Sequence, residues 1–193
     1  MNTALLVSNI VVWLLLLFLA LAVLALYRHF GQLYINSPQG RETQGPELGS
    51  HLLVTSDVDM HGQEVIVPIG SAMAIIFTDT MCTLCAEVRR ELAQLAWSTN
   101  DYIVAFCTGR QQDVDAWAAG LPANVSVVYD HRARYANKYE VNGTPFAVIV
   151  SKDGTVHAKS IINGAEGVGW IQSEIAHANT EALASKQGGH EHP

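Results

Sequence analysis

The length, composition and charge of the chain limit the classes of protein to which it can belong. With 193 residues, 49% of them hydrophobic, it can form one domain with an additional apolar element. A net charge of −7 with scattered Lys and Arg argues against a nucleic-acid partner and against a basic lipid-binding patch. Three Cys residues are too few for a fold built on disulfides.

The chain begins with a long apolar segment. Ile10 to Leu26 is uninterrupted apolar sequence, and a bilayer core of about 30 Å requires roughly 20 helical residues. The run is longer than the apolar region of a typical signal peptide, about 7–15 residues, and no Lys or Arg precedes it. We therefore predict an uncleaved transmembrane anchor at 1–30, in preference to a cleaved signal peptide. A segment rich in Gly and Pro at 31–49 follows as a predicted linker.

The charges beside the anchor and the cysteines later in the chain favour opposite orientations. Arg28 and Arg41 follow the apolar run, which by the positive-inside rule favours a cytoplasmic C-terminal part. A pair of thiols on a tethered domain functions best where disulfides form and exchange, outside the cytoplasm. We give the chemistry more weight and predict a single-pass membrane protein whose soluble domain lies outside the cytoplasm.

After the linker, strand and helix patterns alternate. Apolar runs without alternation predict buried strands, and spacings of three and four predict amphipathic helices. A hairpin is predicted for 52–56 and 64–67, and an Asp153-Gly154 turn joins the last two strands. The other predicted elements are strands at 72–78, 102–107, 125–129, 146–150 and 156–161, and helices at 86–97, 113–119, 132–139 and within 164–183. This order predicts an α/β domain at 50–183 with a mixed sheet covered on both faces, and a polar tail at 184–193.

Two cysteines lie at the junction of a predicted strand and a predicted helix, in Cys82-Thr83-Leu84-Cys85. Cys82 is near the amino end of the helix, where free N–H groups and the helix dipole stabilise a thiolate, so it is the predicted nucleophile. Cys85 follows one turn later and can resolve a mixed disulfide. Asp79 can cap the helix, but a negative charge beside a thiol raises the pKa of that thiol. The balance of these two effects stays open.

Other interpretations of the cysteine pair also stay open. It can be a structural disulfide, or half of a zinc site, although zinc requires two further ligands. The remaining cysteine, Cys107, lies within a predicted strand, and we expect it to be a buried apolar residue. His190 and His192 can bind a metal weakly, but we expect them in a solvated tail. The prediction is therefore a redox-active disulfide without a metal or an organic cofactor.

A second element of the predicted site is Gly143-Thr144-Pro145-Phe146. Pro145 has no N–H to donate to a sheet, so it fits the start of a strand. A cis bond before Pro145 would bring the backbone of Thr144 against the cysteine pair. We expect a cis bond here, because this proline follows a Cys-x-x-Cys motif and directly precedes a predicted hairpin.

Together, the strand, Cys82-Thr83-Leu84-Cys85, the helix and Thr144-Pro145 resemble the thioredoxin fold. The preceding hairpin resembles the extracytoplasmic, membrane-anchored branch of that superfamily. The chain is also similar to the MauD family of methylamine dehydrogenase accessory proteins in segments 4–9, 77–85, 146–150 and 156–163. Where that family tends to have Cys-Pro-x-Cys, this chain has Thr83.

The resemblance implies a thioredoxin-like mixed sheet in which a cis-proline loop, here Thr144 and Pro145, faces the dithiol and binds the substrate chain. It also implies a periplasmic oxidoreductase that helps to form or correct disulfides in the small subunit of an amine dehydrogenase. We therefore predict a thiol–disulfide oxidoreductase that is anchored in the inner membrane by a single span, with its soluble domain in the periplasm. It is expected to act on a disulfide-containing protein and to be recharged by a membrane redox partner. Two alternatives remain: a reductase for cytochrome or metal-site maturation, and a non-catalytic assembly subunit. The sequence leaves the direction of electron flow open.

Overall fold

The structure, a computed structural model, describes residues 3–35, 44–68 and 70–187, in two compact units, 1–40 and 41–193. The described part of the first unit contains helix α1 (Thr3–Ile35). The described elements of the second unit are β1 (Thr55–Val58), β2 (Glu64–Val67), β3 (Met73–Asp79), α2 (Thr83–Gln94), β4 (Tyr102–Thr108), α3 (Gln111–Ala118), β5 (Val125–Tyr129), a 3₁₀ turn (His131–Ala133), α4 (Arg134–Lys138), β6 (Phe146–Val150), β7 (Val156–Ile161) and α5 (Gly164–Gln187).

Between residues 10 and 24, the N-terminal helix α1 presents apolar side chains on all sides. Large apolar residues between Ile10 and Leu24 are exposed, with Trp13 at 69% and Phe18 at 71%. Among the residues that the structure describes, no helix combines the length and the apolar character that crossing a membrane requires. The predicted anchor is thus a helix in the structure, and its insertion into a membrane stays a prediction.

A five-stranded mixed sheet forms the centre of the second unit. Its strand order is β5-β4-β3-β6-β7. Strands β3, β4 and β5 are parallel, whereas β6 is antiparallel to β3 and β7 is antiparallel to β6. Strands β1 and β2 form a separate antiparallel hairpin. The predicted α/β domain with a mixed sheet and flanking helices is confirmed.

Alternate residues of the strands enter two separate hydrophobic clusters, one on each face of the sheet. On β3, Ala74 and Ile76 pack in the cluster that contains residues of α2, α3 and α5. Ile75 and Phe77 pack in the other cluster, with residues of the β1–β2 hairpin and α4. Fully burying an Ile or Phe side chain stabilises a fold by about 1.5–3 kcal/mol. Packing on both faces therefore fixes β3, β4 and β5, whose carboxyl ends lie at one edge of the sheet.

The domain begins earlier in the chain than the sequence indicated. Gln44 and Gly45 fall in the predicted linker 31–49, yet both are buried, and Gly45 N donates to Glu140 O at 2.9 Å. Gly45 has φ 73°, and a Cβ there would lie 2.7 Å from the ring of Phe146. Only Gly fits this position. Local composition did not reveal these contacts, because the partners lie far along the chain.

The two predicted boundary segments of the chain also differ from the structure. Residues 31–35 of the predicted linker continue α1, and residues 36–43 lie outside the described residues. Helix α5 runs to Gln187, past the predicted start of the tail at 184. Residues 184–187 include good helix formers, and the first Gly after them is at 188. The rest of the predicted tail, with His190 and His192, lies outside the described residues.

Candidate active site

Cys82 and Cys85 lie where β3 leads into α2, and they form a disulfide. Their Cα atoms are 5.2 Å apart, which is within the usual range of about 4.4–6.8 Å. Cys82 is half-buried, whereas Cys85 has 0% exposure. A sulfur of a partner protein can therefore reach Cys82 more readily than Cys85.

Cys82 itself is the N-cap residue of α2. Its backbone is extended, with φ −86° and ψ 117°, and its sulfur accepts a hydrogen bond from Cys85 N at 3.1 Å. The helix begins at Thr83, inside the motif, and not at the predicted residue 86. Free N–H groups and the helix dipole at this end stabilise a thiolate over a thiol. After reduction of the disulfide, the helix start therefore favours a thiolate on Cys82.

The sequence suggested that Asp79 caps α2, but the N-cap is Cys82. Asp79 instead binds the backbone just before Cys82. Its Oδ1 accepts a hydrogen bond from Met81 N at 2.7 Å. Its Oδ2 accepts one from Thr108 Oγ1, in the neighbouring strand β4, at 2.5 Å. The carboxylate therefore closes a turn of its own, of the kind in which an Asp accepts from the N–H two residues later.

The loop before β6 lies against the disulfide. The Thr144–Pro145 bond is cis, and Thr144 O is 3.6 Å from Cys82 Sγ. Pro145 O accepts a hydrogen bond from Ile162 N at 3.2 Å. On the other side of the loop, Gln44 Nε2 donates to Gly143 O at 3.2 Å. The structure thus brings the backbone of Thr144 against Cys82, as predicted from the sequence.

The surface around the disulfide exposes apolar side chains. Met81 is 84% exposed and Leu84 is 45% exposed, although both are large apolar residues. A concavity of about 230 Å³ lies at the end of β7 and the start of α5, lined by Ile162, Glu166 and Trp170 among others. Because Ile162 N binds Pro145 O, this concavity adjoins the loop before β6.

The third cysteine lies inside the sheet. Cys107 of β4 pairs with Thr78 of β3 and with Tyr129 of β5, and its exposure is 0%. Burial, followed by the charges of Asp79 and Asp130, raises the pKa of the Cys107 thiol to about 12. Such a thiol stays protonated near neutral pH and is a poor nucleophile. The predicted burial of Cys107 is confirmed.

Another interpretation of the cysteine pair is half of a zinc site, which requires two further ligands. In the part of the chain that the structure describes, no group of three or more His, Cys, Asp or Glu side chains is placed to hold a metal ion. Cys82 and Cys85 are instead bonded to each other. The predicted pair of tail histidines cannot be placed, because residues 188–193 lie outside the described residues.

The mixed sheet, the disulfide at a helix start and the adjoining cis-proline loop together define a thioredoxin-like protein. The family model of the thioredoxin-like domain matches residues 63–168, so the chain belongs to this family. It is similar to the methylamine utilization protein MauD of Methylobacillus flagellatus, with 26% identity over 170 residues. That match covers 83% of this chain and 82% of the relative.

Solved structures share the fold. A candidate protein disulfide isomerase from Bacteroides thetaiotaomicron has a TM-score of 0.62 and 15% identity, over 75% of this chain and 98% of that one. A candidate thiol:disulfide interchange protein DsbE from Chlorobium tepidum has a TM-score of 0.60 and 18% identity, over 69% of this chain and 98% of that one. At these identities the likeness concerns the fold.

The structure brings together the residues that the sequence singled out and adds others. Cys82, Cys85 and the loop of Thr144 and Pro145 lie at one place. The sequence did not indicate Thr108, whose contact with Asp79 follows only from the pairing of β3 with β4. The sequence did contain a signal for this contact. Neighbouring parallel strands end at the same edge of a sheet, so residues at the ends of β3 and β4 are expected to lie side by side. The contact of Gln44 with the loop has no comparable signal in the sequence.

Proposed function

We propose that this protein is a thiol–disulfide oxidoreductase that exchanges disulfides with another protein through Cys82 and Cys85. One observation carries the proposal. The Cys82–Cys85 disulfide lies at a helix start, and its Cys82 sulfur is 3.6 Å from the carbonyl oxygen of Thr144. A structural disulfide has no need of a helix start that favours a thiolate, nor of an open apolar surface beside it.

The two cysteines have different roles in the proposed exchange. In the reducing direction, the Cys82 thiolate attacks one sulfur of a substrate disulfide, and the second substrate sulfur leaves as a thiolate that takes up a proton. The Cys85 thiol then loses its proton, attacks the Cys82 sulfur of the mixed disulfide and releases the first substrate sulfur. The protein pair ends as a disulfide, and the substrate gains two electrons. Oxidation of a substrate dithiol follows the reverse order.

The loop before β6 is proposed to hold the substrate next to Cys82. The carbonyl oxygen of Thr144, which precedes the cis-proline Pro145, lies beside the sulfur, so an extended substrate segment can bind there. Met81 and Leu84, which directly precede the two cysteines, supply an exposed apolar surface. No metal or organic cofactor takes part in this exchange, since the disulfide itself carries the two electrons.

The substrate is proposed to be a disulfide-containing protein of amine dehydrogenase maturation, and a membrane protein is proposed to recharge the pair. Similarity to relatives named as methylamine utilization proteins supports this choice. This chain has Thr83 where the family tends to have Pro, and the position lies between the two cysteines. The redox potential of the pair must therefore be measured on this protein itself.

A single-pass anchor in the inner membrane, with the oxidoreductase domain in the periplasm, is part of the same proposal. Support comes from the uninterrupted apolar sequence of Ile10 to Leu26 and from the exposed apolar side chains of α1. An oxidising compartment also suits a protein that exchanges disulfides. A reporter that functions only in the periplasm should be active when it is fused after Pro193. Activity of a reporter that functions only in the cytoplasm, fused at the same site, would overturn the topology.

The exchange itself is tested by trapping the substrate. The full-length Cys85→Ser variant should accumulate a mixed disulfide through Cys82, because the thiol that resolves it is absent. Nonreducing electrophoresis followed by mass spectrometry identifies the trapped chain. Cys82→Ser is the matched control and should trap nothing, since Cys85 is buried.

The outcomes of the trapping experiment separate the alternatives. A trapped amine dehydrogenase subunit supports the proposal, whereas a trapped cytochrome or metal-site protein supports a maturation reductase. If the Cys82→Ser, Cys85→Ser double variant still supports maturation of the partner in cells, the protein is an assembly subunit and the oxidoreductase proposal fails.

A further inference from the structure

The carboxylate of Asp79 has a fixed position in front of the cysteine pair. Both of its oxygens are occupied, Oδ1 by Met81 N at 2.7 Å and Oδ2 by Thr108 Oγ1 at 2.5 Å. The turn is closed by Cys82 N, which donates to the main-chain oxygen of Asp79 at 3.2 Å. The carboxylate is therefore bound to the residue next to Cys82 and cannot rotate into solvent without losing hydrogen bonds.

Strand β4 holds the same turn from the other side. Thr80 N donates to Thr108 O at 3.0 Å. Gly109 has φ 141°, and a Cβ at this position would overlap the side chain of Thr80. This close approach is possible because residue 109 is Gly. The turn from Asp79 to Cys82 is thus fixed against the end of β4.

A fixed negative charge beside Cys82 affects the two redox states differently. The disulfide is neutral, whereas the reduced pair carries a thiolate on Cys82 in proportion to its ionisation. A nearby carboxylate disfavours the thiolate and leaves the disulfide almost unaffected. The helix start acts in the opposite sense, since it favours the thiolate. Asp79 also contributes to the raised pKa of the Cys107 thiol, so its charge is felt by a sulfur in the neighbouring strand.

We propose that Asp79 is a positioning residue whose charge makes the Cys82–Cys85 disulfide harder to reduce, and therefore makes the dithiol a better electron donor. The inference rests on the proposed oxidoreductase function and concerns the direction in which that exchange is favoured. The sequence left this direction open, because the residues between the two cysteines did not indicate it. The geometry assigns part of the control over this direction to Asp79, a residue outside the Cys82–Cys85 motif.

The relevant equilibrium is the exchange with glutathione. Two glutathione thiols give up two electrons and two protons and form glutathione disulfide, while the Cys82–Cys85 bond breaks and takes them up as two thiols. Anything that stabilises the Cys82 thiolate pulls this equilibrium toward the dithiol. Anything that disfavours the thiolate pulls it toward the Cys82–Cys85 disulfide.

The test measures this equilibrium constant for full-length protein in detergent, near pH 8, which is within about one unit of an ordinary thiol pKa. Asp79→Asn removes the charge and can keep both hydrogen bonds, because its carbonyl accepts from Met81 N and its amide donates to Thr108. We expect the constant for reduction by glutathione to rise roughly three- to tenfold, which is about 15 to 30 mV for a two-electron couple. Asp79→Ser, which also removes the charge, should shift the constant in the same direction.

Two control variants separate charge from structure. Asp153→Asn removes one charge from the turn between β6 and β7, at the end of the sheet away from Cys82, and should change the constant less than about twofold. Thr108→Val removes the hydroxyl that binds Oδ2 but leaves the charge of Asp79 and the hydrogen bond from Met81 N that holds Oδ1, so its change should also stay below about twofold.

Two results would overturn the inference. One is a shift for both Asp79 variants no larger than that of Asp153→Asn, and the other is a shift for Thr108→Val as large as that of Asp79→Asn. If the wild-type pair does not equilibrate with glutathione at all, the proposed oxidoreductase function fails instead. The two failures are therefore distinguishable in one experiment.

Discussion

The corner between β3 and α2 and the interior of β4 both contain cysteine, but they give it opposite properties. At the corner, Cys82 is half-buried, and its sulfur accepts the N–H of Cys85. In β4, Cys107 is fully buried between two strands, and its thiol has a pKa of about 12. The difference shows that the position in the fold, and not the residue type, decides which sulfur can react.

The comparison is tested most directly by removing each sulfur in turn. Cys82→Ser should lower the rate of exchange with a protein disulfide by more than about a thousandfold, because a serine hydroxyl stays protonated and does not form a disulfide. Cys107→Ala should stay within about twofold of wild type, since Cys107 does not meet the substrate. Both rates are measured with full-length protein and glutathione as the source of electrons.

A large loss of exchange in Cys107→Ala, with the fold intact by circular dichroism, would contradict the comparison. It would mean that the sulfur in β4 takes part in the reaction. Retention of exchange in Cys82→Ser would contradict it from the other side, because Cys85 would then be the sulfur that the substrate meets.

A second prediction concerns alkylation of the reduced protein. Near neutral pH, iodoacetamide should modify Cys82 more than about a thousandfold faster than Cys107, because a thiol with a pKa of about 12 is almost entirely protonated. Burial of Cys107 slows the reaction further. Mass spectrometry of peptides at successive times gives the two rates.

The control for this prediction is the same reaction in denaturant. In the unfolded chain the cysteines should react at similar rates, since neither burial nor the helix start persists. If Cys107 already reacts at a rate close to that of Cys82 in the folded protein, then β4 opens readily and its thiol is not protected.

The sequence predicted those parts of this comparison that depend on local pattern. The apolar runs of β3 and β4 predicted buried strands, because a strand covered on both faces has no polar alternation. The spacing of Cys82 and Cys85 predicted a disulfide at a helix start, since one helical turn brings the two residues together. Their contact with Thr144 was predicted from the position of Pro145 before a strand.

The parts that the sequence did not predict depend on contacts between distant segments. Gln44 lies in a stretch of linker-like composition, yet it binds Gly143 near the active site. Asp79 is close enough to a helix to serve as its cap, but Cys82 occupies that position and Asp79 binds Thr108 instead. Composition and spacing do not record such partners, which are set by strand pairing and packing.

The smallest expected effect is a pH dependence of stability that arises from Cys107 alone. Its thiol ionises near 9.0 when unperturbed and near 12 in the folded protein, chiefly because burial disfavours the thiolate. Between these values the unfolded chain loses the proton first, so it binds fewer protons than the folded protein and the free energy of unfolding falls as pH rises. The contribution is complete below pH 9.0 and is lost toward pH 12.

This pH effect should amount to about 1.4 kcal/mol between about pH 8 and pH 10. It is measured by urea denaturation of the full-length oxidised protein in detergent, in which the bonded Cys82 and Cys85 do not titrate. The range stops near pH 10 because Tyr135, whose pKa is also raised to about 12, contributes above its unperturbed value of 10.0. In Cys107→Ala, this part of the dependence of the unfolding free energy on pH should disappear. An unchanged dependence would show that the sulfur in β4 is not held in the protonated form. The contrast with Cys82 would then rest only on how accessible each sulfur is.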